Sequence, residues 1–149
     1  MAAFGRAPRS ITIDRLAVRA SVVPIHTVGS TLVPPGDPTD PGWWADGARP
    51  GDPRGSVLIT GHTVHTGGGA LDRLEELEPG DSVTVRTRRD TVKYAVRRVV
   101  IPDKGVVARQ AERLFSQKVR GRLLLITCED WNGTGYDSNA IVFAERGGA

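Results

Sequence analysis

Cys128 is the only cysteine in the chain, and it ends an apolar run, Leu123-Leu124-Leu125-Ile126-Thr127. His62 follows Gly61 at the end of a second run, Val57-Leu58-Ile59-Thr60. A thiolate is a nucleophile, and an imidazole within reach can move the protons that attack on an amide requires. Both residues stand where a buried strand gives way to loop, so rigid scaffold would present them to substrate. Residue type alone is a weak argument, because a free cysteine is commonly a buried, inert, small apolar group. It is the shared placement that makes a nucleophile and acid–base pair worth considering. A single cysteine excludes an intrachain disulfide and the multi-cysteine zinc sites. His62 and His65 are three apart, but Gly67-Gly68-Gly69 argues against a helix that would align them, and no carboxylate has ligand spacing. No metal is expected. No Gly-Lys-Ser/Thr loop follows a strand, so no cofactor is expected either.

The elements that would position the pair are mostly strands. Ile11-Thr12-Ile13 alternates, and Val18 to Val23 continues after a break. Ser56 to Thr60 and Arg122 to Thr127 read as buried strands. Asp81 to Thr87 and Thr91 to Ile101 alternate around a short turn and predict an antiparallel hairpin. Asn139 to Glu145 supplies a last strand. Leu71, Leu74 and Leu77 have the spacing of a short amphipathic helix that Pro79-Gly80 stops, and Ala108 to Gln117 is a second helix candidate. Pro24 to Gly55 holds seven of the ten prolines and six of the eighteen glycines, which argues against a regular helix or a central strand. Trp43-Trp44 within it either pins that stretch to the core or lines a binding groove. Many strands and two small helices predict a mainly-β barrel or sandwich.

At 149 residues the chain suggests one domain, large enough to bury a core without disulfides or metal. With 39% hydrophobic and 25% charged residues it is neither disordered nor, lacking a long apolar run, membrane-spanning by helix. Residues 1–10 read as an N-terminal tail with no signal-peptide pattern, and 11–149 as the domain. The net charge is +3. The arginines are interleaved with Asp and Glu, and the densest cluster, Arg86, Arg88, Arg89, Arg97 and Arg98, reads as a solvated strand face. Nucleic-acid binding, which wants a concentrated basic stripe, is not expected.

Val57-Leu58-Ile59-Thr60-Gly61-His62-Thr63 and Leu124-Leu125-Ile126-Thr127-Cys128 together resemble the sortases, cysteine transpeptidases of Gram-positive cell surfaces. The order and gap of these motifs are similar to the family's. So are the Pro/Gly-rich stretch with its tryptophan pair and the Leu-Glu-Pro-Gly-Asp turn at 77–81. The likeness runs from about Ile11 to Ala144 and is greatest to the class E and F sortases of high-GC actinobacteria. It implies a closed eight-stranded β-barrel with two short helices and long loops. It implies Cys128 as nucleophile and His62 as general acid–base. The substrate implied is a Leu-Pro-x-Thr-Gly-like C-terminal sorting signal, cut between Thr and Gly through a thioester. The partners implied are the secreted protein that carries the signal and an amine from cell-wall precursor or pilin. It further implies a monomer at the outer face of the membrane, tethered by a segment absent from this chain.

One family feature is missing. Sortases carry an arginine on the last strand that serves substrate and oxyanion, yet no arginine occurs between Cys128 and Arg146. Alignment puts Asn139 at that position, and a shifted alignment puts Asp137 there. Three readings follow. Asn139 donates to the oxyanion itself, with the Glu129 amide as a second donor; an arginine arrives from elsewhere in the fold; or the protein is a weakened or non-catalytic peptide-binding relative. Glu129 and Asp130 directly follow Cys128, so the thiol is expected to be only partly ionised near its ordinary pKa of about 8.5, with activity rising toward mildly alkaline pH.

Overall fold

The computed structural model describes residues 7–25, 27–28, 31–32, 40–45, 47–52, 54–62, 71, 74–100, 119–128 and 140–146; at 27, 28, 31, 32, 62 and 128 the backbone alone is described. Eleven strands occur among them. In chain order they are β1 (Pro8–Ile13), β2 (Val18–Ser21), β3 (Val23–Ile25), β4 (Thr27–Val28), β5 (Thr31–Leu32), β6 (Gly42–Trp44), β7 (Ser56–His62), β8 (Ser82–Thr87), β9 (Thr91–Val100), β10 (Arg122–Cys128) and β11 (Ile141–Arg146). β4 and β5 form a separate two-stranded pair. The other nine form one sheet in the order β2-β1-β8-β9-β11-β10-β7-β6-β3.

The two ends of that sheet are consecutive in the chain. Only Val22 separates β2 from β3. Its amide donates to Arg9 O at 2.9 Å, while the next amide, Val23 N, donates to Pro41 O at 3.1 Å. Successive amides of a strand point to opposite sides, so the segment 18–25 is flanked by β1 on one side and the β6 segment on the other. The sheet thereby bends round on itself into a barrel. Taken as one bent strand, β2 and β3 turn the nine strands into the eight that the sequence resemblance implies.

The alternation expected of the hairpin is observed: Val83, Val85, Val92, Tyr94 and Val96 face the interior in a ladder that pairs Arg86 with Thr91 and Ser82 with Ala95. β1 begins at Pro8, so the last residues of the segment read as a tail are paired with β8; proline is tolerated as the first residue of a strand. A four-residue reversal joins β1 to β2. It contains a 3₁₀ turn, Asp14–Leu16, closed by Ala17 in the left-handed conformation at φ 55°.

Leu71, Leu74 and Leu77 are all buried and plug the barrel. Here the expected helix is a 3₁₀ turn at Leu74–Glu76. The spacing of three that suggested a helix also matches three residues per turn, and Pro79 follows too soon for an α-helix to extend. The second helix candidate, 108–117, lies outside the described residues. The Pro/Gly-rich stretch departs from expectation more sharply, because Gly42–Trp44 is a strand within the sheet, antiparallel to β7 and parallel to β3. Only three residues long, it fits between Pro41 and the turn that follows.

β7 and β10 run parallel and in register over seven pairs, from Ser56 opposite Arg122 to His62 opposite Cys128. Parallel strands covered on both faces read as continuous apolar runs rather than alternating ones. Val57, Ile59, Leu123 and Leu125 fill the interior cluster. Leu58, Leu124, Ile126 and Ile141 form a second cluster on the outer face, with Trp44, Val100 and Phe143 packed against it.

Candidate active site

His62 and Cys128 are the last residues of β7 and β10, and they are Cα partners across the parallel ladder. Adjacent strands stand about 4.8 Å apart. Two residues far apart in sequence are therefore neighbours at one rim of the barrel. Strand alternation assigns position 128 to the face of Leu124 and Ile126, and position 62 to that of Leu58 and Thr60.

Two features fix the strand ends. Gly61 precedes His62 and faces Thr127 across the ladder. A Cβ built on Gly61 would stand 3.1 Å from Leu71 Cγ and 3.2 Å from Leu71 Cδ1, so the absence of a side chain lets the leucine plug approach the end of β7. Thr127 precedes Cys128 and is buried. Its amide donates to Ala140 O at 3.1 Å, as a ladder rung would. The returning Ala140 amide donates instead to the Thr127 hydroxyl oxygen, at 2.8 Å. A side chain thus takes the place of the backbone acceptor, so the β10–β11 register ends at Ile126–Ile141 while the strand remains tied.

Running away from the Cys128 and His62 rim, the outer face is an apolar floor of Leu58, Leu124, Ile126 and Ile141. It is closed at the far end by polar groups. Arg122 Nε donates to Ser56 Oγ at 2.9 Å. The Arg122 and Arg98 guanidiniums lie 5.7 Å and 4.5 Å from the centre of the Phe143 ring. The sequence reading did not name this floor. The signal was available, since stepping back two residues at a time from Cys128 and His62 reaches Ile126, Leu124, Thr60 and Leu58. The tryptophan pair divides between the two layers. Trp43 is in the interior, its indole donating to Ala48 O at 3.1 Å, and Trp44 packs on the outer floor.

Asn139, Asp137 and Glu129 lie outside the described residues. The arginines seen on this face do not approach the rim. Arg122 is six residues down β10 from Cys128, about 20 Å at 3.3 Å per residue. Arg98 is the ladder partner of Phe143, which faces Leu124, so it is about 13 Å down and two strands across. Arg146 pairs with Tyr94 at the opposite end of β11. Among the described residues no group of three or more His, Cys, Asp or Glu could hold a metal ion, and no helix is long and apolar enough to cross a membrane.

Solved sortases of several classes share this fold. Sortase A of Listeria monocytogenes aligns with a TM-score of 0.70 at 16% identity, covering 95% of this chain and 88% of that one. Sortase E1 of Streptomyces coelicolor, solved with a tripeptide in its active site, gives 0.68 at 20% identity over 99% and 92%. Sortase C-1 of Actinomyces oris gives 0.67 at 25% identity over 94% and 71%. No curated protein sequence matches the chain. The family model for the sortase domain matches residues 11–147. That span takes in the closed barrel and both strand ends of the rim, and the chain belongs to the sortase family.

Proposed function

We propose that this sortase is an active cysteine transpeptidase acting through Cys128 and His62, with residues 11–149 as a single catalytic domain. Sortases as a family are membrane-associated cysteine transpeptidases of the cell surface. The observation that most supports activity here is the in-register pairing of the two residues at the end of the β7–β10 ladder. An amide is a poor electrophile with a poor leaving group. The Cys128 thiolate adds to the carbonyl carbon of Thr in a Leu-Pro-x-Thr-Gly-like signal. As the C–N bond breaks, the His62 imidazolium gives its proton to the departing Gly nitrogen. A thioester remains. An incoming amine from cell-wall precursor or pilin gives a proton to His62 and forms the new amide as the C–S bond breaks, which restores the Cys128 thiolate and the His62 imidazolium.

The tripeptide in the active site of the Streptomyces enzyme supports a peptide at the corresponding rim. The family alignment puts Asn139 at the position of the missing arginine. We assign its side-chain amide, with the Glu129 N–H, to the oxyanion. The enzyme works as a monomer at the outer face of the membrane.

The test is a sorting-signal peptide incubated with the protein. A thioester adduct on Cys128, lost in Cys128→Ala, reduced in His62→Ala and resolved by an added amine, supports the transpeptidase. Asn139→Ala is expected to lower turnover by about a hundredfold with folding intact, the scale on which an oxyanion donor acts. A second reading, a peptide-binding module without turnover, is favoured by the distance of Arg98 and Arg122 from the rim. Peptide binding with no adduct and no cleavage would establish it.

A further inference from the structure

The wall opposite the Cys128 and His62 rim carries cations and hydroxyls with no carboxylate among them in its two outward rows. Around the closed ring the order is β2/β3, β1, β8, β9, β11, β10, β7, β6, so β1 and β8 stand four places from β10 and β7. On this wall the ladders align the outward residues in rows. One row runs Ser21, Ser10, Arg86, Thr91, and the next runs Arg19, Thr12, Thr84, Lys93. Every outward side chain in the two rows is a hydroxyl or a cation. Arg88 and Arg89 extend the charge into the β8–β9 turn, where Asp90 is the one carboxylate.

A solvated strand face ordinarily alternates charge sign, because cross-strand opposite pairs stabilise a sheet and like charges do not. Here Arg19, Arg86 and Lys93 are exposed, and no carboxylate among the described residues pairs with any of them. A shallow cavity of about 300 Å³ is lined by Ser10, Thr12, Arg19, Ala20, Ser21 and Arg86. Two guanidiniums flanking three hydroxyls suit a phosphate oxygen cluster. No aliphatic or aromatic side chain projects from the two rows, so the face suits contact with a charged surface rather than insertion into an apolar one.

We propose that this wall docks onto an anionic phospholipid bilayer, with headgroup phosphate held in the cavity between Arg19 and Arg86. The occupant is a surface rather than a compact ligand because the cations are spread over three of the four adjacent strands, β2, β8 and β9. The chain also enters the barrel on this wall, at Pro8. Docking this way turns the Cys128 and His62 rim away from the lipid. The inference does not depend on whether the rim is catalytic.

The test is co-sedimentation of the chain with vesicles of phosphatidylglycerol and phosphatidylcholine, against vesicles of phosphatidylcholine alone. Binding is expected only to the anionic vesicles, falling steeply between about 0.05 and 0.5 M salt as screening shortens. Each cation lost is expected to weaken partition about fivefold, so Arg19→Gln, Arg86→Gln and Lys93→Gln combined should cost roughly a hundredfold. The single variants, which are exposed changes, should show the graded loss. Arg54→Gln with Arg120→Gln, exposed cations outside this wall, should leave binding in place, and cleavage of a soluble peptide should be unaffected by the triple variant. Equal binding to neutral vesicles, equal loss from the Arg54 and Arg120 variant, or a soluble phosphodiester polymer outcompeting the vesicles at matched phosphate would overturn the proposal.

Discussion

The Thr127 hydroxyl tests how the rim is held. Thr127→Val keeps the side-chain shape and removes the acceptor of the Ala140 amide, which is bonded at 2.8 Å. Thr127 and Ala140 are 4% and 5% exposed, so water cannot replace the lost partner. Leaving a buried N–H unsatisfied costs about 1–3 kcal/mol. For a domain near 150 residues, at about 3 °C per kcal/mol, the melting temperature should fall by about 3–9 °C. The same clamp ties the start of β11 to the strand that carries Cys128, so peptide turnover should fall by about ten- to a hundredfold, the penalty for misplacing groups by a fraction of an ångström to one ångström. Thr127→Ser keeps the acceptor and loses one methyl, worth at most about 0.8 kcal/mol, and should retain turnover. Denaturant unfolding and peptide cleavage measured on both variants decide the matter. A valine variant with wild-type midpoint and turnover would refute the clamp; a serine variant as impaired as valine would show that the methyl, not the hydroxyl, mattered.

Gly61→Ala should destabilise by about 1–3 kcal/mol through overpacking against Leu71, with the cost shrinking in a Leu71→Ala background when unfolding midpoints are compared. Ala17→Gly should stabilise by about 0.5–1 kcal/mol in the same assay, because glycine holds φ 55° without the Cβ clash, offset by its greater unfolded-state freedom. The Arg15 hydrogen bond at 2.5 Å, aided by the Glu78 amide and opposed by partial desolvation, holds the Asp81 carboxyl below its ordinary range. Its stabilising effect is therefore complete above about pH 4 and is lost as pH falls through the depressed value, so thermal melts of wild type and Asp81→Asn should converge in acid and separate above about pH 4. Burial pushes the Tyr94 hydroxyl up to about 12, so alkaline unfolding should begin above about pH 10 and be delayed in Tyr94→Phe, followed by circular dichroism.

What was legible in the sequence was whatever a short window records. Ile11-Thr12-Ile13, the β8–β9 hairpin and the leucines at 71, 74 and 77 carry their burial in their spacing, and the runs before His62 and Cys128 declare strands covered on both sides. What escaped was held by backbone pairing. Gly42–Trp44 is a strand because β7 and β3 flank it, which no propensity of Gly-Trp-Trp announces beside Pro41. Val22 looks like any apolar residue, yet its amide and its neighbour's close the barrel. The rim pair was suggested by motif, but its register rests on seven rungs between segments 66 residues apart, a separation no local pattern spans. The floor was half legible, since alternation points to Leu124 and Ile126, while Trp44 and Phe143 join it only in three dimensions.

That parallel ladder also bears on when reactivity arises. The loop it closes contains the entire β8–β9 hairpin, so the entropy of joining its ends must be met before any rung rewards it, and pairings of this range form late. Until they do, positions 62 and 128 of a newly made chain are not neighbours, and the rim does not exist. The rim is thus among the last features of the fold to form, and any chemistry it performs waits on the completed ladder.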